Sequence, residues 1–181
     1  MKLLLLLVSI ILSISLASSI VVIPYSYPLY KQCDTRWGNN EIINQTICDV
    51  GCLMSSCSMA IAGKGITLDN VVSTPASLNS WLQLNSGYVG DDLLEESALT
   101  RISPAIQWVG SYSASDFTMD EVVDMINKQT IVIINVLQGA HFVLAVGYDQ
   151  SNSLFYVNDS GFDNLTYTYA DVVGYRIFNM N

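Results

Sequence analysis

The feature that most constrains the fold is a set of apolar runs with strand composition in the C-terminal half of the chain. Residues 130–137, 141–148 and 154–158 are rich in β-branched and aromatic side chains, which is typical of β-strands. Gln138-Gly139 separates the first two runs, as a hairpin turn would. Residues 175–178 are a candidate for a last strand. The sequence therefore predicts an antiparallel sheet.

Helical patterns come mostly before these strands. Apolar residues in 53–63 recur at helical spacing, and 77–84 is a second short helix. The Thr-x-x-Glu sequence that begins 118–128 is a capping box and opens a third helix. Residues 91–110 are ambiguous, with a helix over 92–99 as one option. Helices followed by strands indicate an α+β fold, in which an N-terminal helical lobe packs on the sheet.

The N-terminus has the pattern of a targeting segment. Residues 3–16 follow a lysine and form an apolar run that only serines interrupt. Small-x-small cleavage patterns occur at 15–17 and 17–19. We therefore expect residues 1–19 to be a secretory signal peptide and residues 20–181 to be one domain. An uncleaved membrane anchor is the alternative, although the run is short for a membrane span.

Charge and composition exclude several classes of function. The net charge of −9 leaves no basic stripe for nucleic acid and disfavours anionic membrane surfaces. No glycine-rich phosphate loop is present, and one histidine with scattered cysteines makes a poor metal site. We expect no cofactor, no metal, no nucleic-acid partner and no stable membrane association after signal removal. We expect a monomer, outside the cell or in a lysosome-like compartment.

Four cysteines, at positions 33, 48, 52 and 57, lie within 25 consecutive residues. A secreted chain meets an oxidising compartment, so pairing is expected. Two patterns remain open: two disulfides in any of three connectivities, or one disulfide and a working thiol.

Four residues could carry chemistry together. Cys52 lies where a loop meets the start of a helix, a position that favours the thiolate, although a structural cysteine is the alternative. His141 is the only histidine and could act as the base. Asp159, or alternatively Asn158, could orient the imidazole, and the side-chain amide of Gln32 could donate to an oxyanion. Taken singly, the acidic segment 158–161 is better explained as a turn.

Longer motifs give these residues a context. They are YKQ at 30–32, WG at 37–38, GC at 51–52, GAHFVLAVGYD at 139–149 and YVND at 156–159. In this order the chain resembles the bacteriocin-processing (double-glycine leader) peptidase-like family of papain-like cysteine peptidases. Leu-Met after the nucleophile, and Gly-Phe after the acidic segment, depart from the usual family pattern.

The resemblance implies a papain-like fold with the nucleophile at a helix N-terminus, and peptide or protein substrates. It implies that Cys52 is the nucleophile, His141 the general base, Asp159 the orienting acid and Gln32 the oxyanion-hole donor. Transporter segments are absent, so we do not expect leader cleavage coupled to export.

The resemblance also sorts the remaining thiols. With Cys52 free, Cys33–Cys48 is the expected disulfide and Cys48–Cys57 the alternative. Closing a 15-residue loop contributes about 3 kcal/mol in the entropic model. Cys57 lies about 140° around an ideal helix from Cys52, so it should face away and be buried.

Three sequons fit a secreted chain, at Asn44, Asn158 and Asn164. We expect glycosylation at Asn44 and Asn164, because a glycan on Asn158 would crowd the neighbouring Asp159.

The leading hypothesis is a secreted cysteine peptidase or amide hydrolase. The same residues would serve a hydrolase of peptidoglycan or of another non-protein amide. A catalytically inactive secreted binding domain is the third reading, and it predicts an unreactive or disulfide-bonded Cys52.

Overall fold

A computed structural model of the 181-residue chain describes residues 20–22 and 26–181. The expected signal peptide, residues 1–19, lies outside the described residues. In the described part, helices and two small hairpins pack on one antiparallel sheet, which confirms the predicted α+β class.

The elements have the following bounds. The helices are α1 (Ile47–Val50), α2 (Cys52–Gly63), α3 (Pro75–Leu84) and α4 (Met119–Asn127). The strands are β1 (Ile20–Val22), β2 (Thr67–Leu68), β3 (Val71–Val72), β4 (Tyr88–Val89), β5 (Leu93–Leu94), β6 (Ile106–Ser113), β7 (Ile131–Val136), β8 (His141–Asp149), β9 (Leu154–Asn158), β10 (Thr166–Thr168) and β11 (Gly174–Met180). Short 3-10 turns cover Glu96–Arg101, Ala114–Asp116, Leu137–Gly139 and Tyr169–Asp171.

The main sheet has the strand order β10-β9-β8-β7-β11-β6, and its pairings are antiparallel. The short strand β1 pairs with the end of β8, at Ile20 opposite Asp149. Because β9 occupies the other edge of β8 there, β1 continues the edge that β7 uses earlier along the strand.

The middle of the sheet is buried because its strands carry almost no polar residues. Ile131, Val132, Ile133 and Ile134 of β7 are all buried, although neighbouring side chains of a strand point to opposite faces. Such a continuous apolar run is stable only where both faces are covered. The helices α2 and α4 both pack against β7 and β8 and provide much of this cover.

The central helix α2 is lined with small buried side chains. Ser55, Ser56 and Ser58 are fully buried, as is Ala60. The Ser56 hydroxyl donates to the carbonyl of Phe142 at 3.3 Å, which ties α2 directly to the start of β8. Small residues on this helix let the sheet approach closely, so the first residues of α2 and β8 lie side by side.

The strand predictions agree with the structure to within a few residues, and the predicted helix over 118–128 is α4. The predicted helix over 77–84 begins earlier, at Pro75, because Thr74 and Ser77 form a capping box. The possible helix over 92–99 is wrong: Leu93–Leu94 pairs with Tyr88–Val89, and a 3-10 turn follows.

The strand β6 was not predicted from the sequence. It lies at the edge of the sheet, and its residues alternate between exposed and half-buried after the buried Ile106. Gly110 and the serines lower its strand propensity, so local pattern alone does not reveal it.

None of the helices in the described residues has the length and apolar composition that a membrane span needs.

We expect Ile133→Ala to lower the free energy of unfolding by about 2–5 kcal/mol, because Ile133 is fully buried and its truncation opens a cavity in the core on one face of the sheet. Urea denaturation followed by circular dichroism would measure this. The control, Val109→Ala on the exposed side of β6, should change stability by less than about 0.5 kcal/mol. Equal effects of the two substitutions would contradict the assignment of β7 as the centre of the core.

Candidate active site

Cys52 is the first residue of α2 and follows a sharp junction between two helices. Gly51 is both the last cap of α1 and the N-cap of α2. A Cβ at Gly51 would lie 2.4 Å from the carbonyl oxygen of Ile47, so the junction requires glycine. The half-buried Cys52 has a free thiol and lies at the start of α2, where the first amide groups have no partner within the helix.

His141 is the first residue of β8 and is paired with Val136 across the hairpin from β7. The connecting turn is Leu137–Gly139, in which Leu137 and Gln138 have φ values of 51° and 58°. This left-handed turn is tight enough to start the new strand directly at the histidine. His141 is 4% exposed.

Asp159 follows β9, the neighbour of β8, and is held by four hydrogen bonds. Its Oδ1 accepts from Nε2 of His141 at 2.7 Å and from the amides of Gly161 and Phe162, each at 2.9 Å. Its Oδ2 accepts from the hydroxyl of Tyr167 at 2.9 Å. A carboxylate surrounded by donors is held in its ionised form and in one orientation.

The histidine and the aspartate shift each other's titration. Burial alone would raise the pKa of Asp159, but the hydrogen bonds from His141, the two amides and Tyr167 lower it overall. Burial alone would lower the pKa of His141, but the hydrogen bonds to Asp159 and Cys52 raise it to about 9. Because Nε2 faces Asp159, Nδ1 is the nitrogen left for the thiol. The arrangement favours an imidazolium beside the sulfur.

Gln32 lies beside this pair with its side chain fixed at both ends. Its backbone N–H donates to the carbonyl of Ser160 at 2.9 Å, and its Oε1 accepts from the Ser160 hydroxyl at 3.1 Å. Its Nε2 donates one hydrogen to the carbonyl of Cys48 at 2.7 Å. An amide nitrogen carries two hydrogens, so the second is left for a ligand.

A cleft of about 320 Å³ lies beside Gln32, Cys52 and His141. It is lined by Gln32, Cys33, Cys48, Asp49, Cys52, Leu137, Ala140, His141, Gly161 and Phe162. Phe162 contacts the imidazole edge-to-face, with ring centroids 5.1 Å apart. A Cβ at Gly161 would lie 2.9 Å from Cε1 of His141, so only glycine lets this segment lie against the ring.

The structure pairs Cys33 with Cys48 in a disulfide and leaves Cys57 free and buried. Burial raises the pKa of the Cys57 thiol, which is therefore unsuited to nucleophilic chemistry. The bridge joins the residue after Gln32 to the residue whose carbonyl accepts from Gln32. The bridge therefore restrains both the backbone next to Gln32 and the carbonyl that orients the Gln32 side-chain amide.

The structure brings together the four side chains singled out in the sequence and adds residues that the sequence did not suggest. Tyr167 donates to Asp159 and accepts from Nδ2 of Asn164 at 2.8 Å. Lys31 donates to the carbonyls of Asp159 and Phe162 and so fastens the acidic segment to the segment that carries Gln32. Tyr167 lies in an unremarkable Thr-Tyr-Thr strand, so no sequence signal marks it.

The sequon residues lie in different surroundings. Nδ2 of Asn158 donates to the carbonyls of Tyr27 and Pro28, so this residue anchors the N-terminal segment, whereas Asp159 is the partner of the imidazole. Asn44 and Asn164 are exposed, and their glycosylation stays a prediction.

Within residues 20–22 and 26–181, no three His, Cys, Asp or Glu residues are grouped as metal ligands would be.

Comparisons with known proteins agree with this geometry. The model of the Peptidase_C39 like family matches residues 25–177. A crystal structure from Bacillus anthracis, described as that of a C39-like peptidase, superposes with a TM-score of 0.53. The sequences are 14% identical, and the match covers 86% of this chain and 96% of that chain. A comparison with curated proteins gives no match.

We expect the imidazole of His141 to titrate near pH 9 and to shift downward in Asp159→Asn and Cys52→Ala. Asp159→Asn should have the larger effect, moving the midpoint towards the ordinary value of about 6.5, because it removes the stronger partner. A 1H–13C NMR titration measures this without assignment work, since the chain has one histidine.

The sign of the linked stability change follows from the same shift. The folded pKa of about 9 exceeds the unfolded value of about 6.5, so the stabilisation is complete below about pH 6.5 and is lost as pH rises through 9. An imidazole that titrates below pH 6.5 in the wild type would contradict the ion pair.

We expect the double substitution Cys33→Ser, Cys48→Ser to lower the free energy of unfolding by about 3 kcal/mol, because the unfolded chain gains the entropy of a loop with a sequence separation of 15 residues. Guanidinium denaturation would measure the difference. Cys52→Ala is the control and should cost less than about 1 kcal/mol, since Cys52 is outside the bridge. Equal losses would show that the bridge does not constrain the unfolded chain.

Proposed function

The chain belongs to the Peptidase_C39 like family and has a papain-like α+β fold, and we propose that it is an active cysteine peptidase or related amide hydrolase. Family membership implies a peptide substrate. In this proposal Cys52 is the nucleophile, His141 the general acid and base, Asp159 the orienting carboxylate and Gln32 the oxyanion-hole donor.

The observation that carries the proposal is the arrangement of three side chains. The free thiol of Cys52 is hydrogen-bonded to the imidazole of His141, which is in turn paired with Asp159. The ion pair joins Nε2 to Oδ1 at 2.7 Å, and both side chains are at most 5% exposed. A buried carboxylate that accepts from one ring nitrogen fixes the tautomer and holds the other nitrogen toward the nucleophile.

Acylation follows from these positions. The Cys52 thiolate attacks the carbonyl carbon of the scissile amide, a C–S bond forms, and the carbonyl oxygen takes the negative charge. The second Nε2 hydrogen of Gln32 and the amide groups at the start of α2 donate to this oxygen. The imidazolium of His141 gives its proton to the amide nitrogen as the C–N bond breaks, and the amine leaves.

Deacylation uses the same groups in reverse order. Neutral His141 removes a proton from water, whose oxygen attacks the thioester carbonyl. The C–S bond then breaks, which releases the acid and restores the thiolate beside an imidazolium. Asp159 keeps its charge throughout and stabilises the cationic ring.

The proposed setting is secretion as a monomer, with residues 1–19 removed as a signal peptide and glycans at Asn44 and Asn164. The Cys33–Cys48 disulfide supports this setting, because disulfides persist in oxidising compartments. The exposed side chains of both asparagines are open to the surface.

We expect iodoacetamide to label Cys52 selectively in the folded protein below pH 8, and His141→Ala to slow the labelling at least about tenfold, because the thiolate loses its cationic partner. Mass mapping of alkylated peptides at graded pH would measure both rates. Gln32→Ala is the control, since an oxyanion donor acts on the substrate carbonyl and has no role in alkylation. It should instead lower peptide turnover by about 10²–10³-fold.

An unlabelled Cys52 in the folded protein would overturn the enzyme proposal and leave the inactive binding domain. Digestion of casein beside purified bacterial cell walls separates a peptidase from a peptidoglycan hydrolase, because the catalytic groups are common to both.

A further inference from the structure

The two oxygens of the Asp159 carboxylate are held by different donors. Oδ1 accepts from Nε2 of His141 at 2.7 Å and from the amides of Gly161 and Phe162, each at 2.9 Å. Oδ2 accepts from the hydroxyl of Tyr167, also at 2.9 Å. We propose that Tyr167 is a positioning residue for the reaction, which fixes the plane of the carboxylate and thereby its hydrogen bond to the imidazole. This inference rests on the proposed function.

Burial makes the donor to Oδ2 necessary. The side chain of Asp159 is 1% exposed, so solvent contributes little to holding it. The three donors to Oδ1 all act on one oxygen, and the plane of the carboxylate is defined only when the second oxygen also has a partner. A buried charged oxygen without a hydrogen bond is unfavourable. Without the Tyr167 hydroxyl, the carboxylate would be free to turn away from the imidazole of His141.

Asn164 fixes the direction of the phenol hydrogen. Its Nδ2 donates to the Tyr167 hydroxyl at 2.8 Å. An amide nitrogen can only donate and an ionised carboxylate can only accept, so the phenol hydrogen points to Asp159. Burial and the hydrogen bond to Asp159 raise the pKa of Tyr167 to about 12, so the phenol stays protonated at neutral pH. The donors therefore form an ordered series that leads from the exposed Asn164 to the buried carboxylate.

The sheet holds the phenol ring independently of its hydroxyl. Tyr167 is the middle residue of β10 and lies opposite Phe155 of β9. It is buried, whereas Thr168 next to it is exposed, as expected for neighbouring residues of an edge strand. A phenylalanine at this position would keep the packing of the ring. Tyr167→Phe therefore removes the hydroxyl and leaves the ring and the strand in place.

Other charged and titratable groups around Tyr167 and Asp159 act at other atoms. Nζ of Lys31 donates to the backbone carbonyl of Asp159 at 3.1 Å. The charge of Asp171 acts on the phenol of Tyr167, and Cys52 is hydrogen-bonded to the imidazole. Among the hydrogen bonds of the described residues, the one from Tyr167 is the bond that reaches Oδ2. Its removal should destabilise the charged carboxylate and raise the pKa of Asp159.

The test follows the Nε2 proton of His141 by 1H NMR in the folded protein. This proton lies in the 2.7 Å bond to Asp159, so it should give a downfield resonance, which needs no assignment because the chain has one histidine. The resonance is present while Asp159 is ionised and is lost as pH falls through the pKa of this carboxyl. We expect Tyr167→Phe to raise the midpoint of this loss by about one pH unit, because the anion loses a donor.

The same substitution should affect the thiol. Iodoacetamide alkylates the Cys52 thiolate, so that a C–S bond forms and iodide leaves. We expect Tyr167→Phe to slow this labelling about threefold at about pH 6, because the imidazolium is held less firmly beside the sulfur. The matched control is Tyr169→Phe, which removes a hydroxyl that donates to the carbonyl of Phe117 at 2.7 Å. The control should keep the wild-type midpoint and labelling rate.

A second variant keeps the test valid if Tyr167→Phe unfolds. Asn164 is exposed, so Asn164→Ala should fold, and it removes the donor to the phenol. Hydrogen bonds in series strengthen one another by roughly 10–30%, so the midpoint should rise in the same direction by about 0.3 pH unit. Its control is Thr166→Ala, which also abolishes the Asn164 sequon but keeps the Asn164 amide. This control should keep the wild-type midpoint.

The outcomes distinguish this inference from the proposed function. A wild-type midpoint in folded Tyr167→Phe would overturn the positioning role, while rapid labelling of Cys52 would leave the proposed function standing. Equal shifts in Tyr167→Phe and Tyr169→Phe would also overturn the positioning role. Equal shifts in Asn164→Ala and Thr166→Ala would do the same. If iodoacetamide does not label Cys52 in the folded wild type, the proposed function fails, and the role of Tyr167 in the reaction fails with it.

Discussion

The buried pair of Asp159 and His141 is the interaction on which the rest of the site depends. Removing both charges from water costs several kcal/mol for each ion, and their attraction offsets this only when the remaining polar atoms are satisfied. Here the carboxylate accepts from two backbone amides and from Tyr167 as well as from the imidazole. These donors come from β8, from β10 and from the segment after β9, whose two amides turn back towards the carboxylate.

The fold brings the pair to the thiol by packing α2 across the start of β8. Serines and alanine on α2 keep the separation small, and the Ser56 hydroxyl fixes the helix to the carbonyl of Phe142. His141 begins β8, and Asp159 follows the end of β9. Because these strands are antiparallel, hydrogen-bonded neighbours, the two residues lie at the same end of the sheet. Cys52 therefore belongs to the helical part, whereas His141 and Asp159 belong to the sheet and the segment that follows it.

Much of this was predictable from the sequence, and the α+β class and the family resemblance are confirmed. Strands β7, β8 and β9 were found because long apolar runs with β-branched residues have few other solutions. The edge strand β6 was missed because its side chains are partly exposed and its partner β11 is distant in the sequence. The β4–β5 hairpin was missed because each of its strands has only two residues. Tyr167 could not be assigned because its Thr-Tyr-Thr strand carries no signal, and Ser160 could not be assigned because its partner Gln32 is 128 residues away in the sequence.

The connection between Lys31-Gln32 and the segment after β9 spans a sequence separation of 128 residues. Contacts of this length form only after most of the chain has been made and has folded back on itself. Gln32 is oriented by Ser160, and Lys31 holds the carbonyl of Asp159, so neither end of the site has its final geometry alone. A nascent or partly unfolded chain carries Cys52 without His141 and Gln32 in place beside it. The long return of the chain therefore delays assembly of the candidate site until most of the chain has folded.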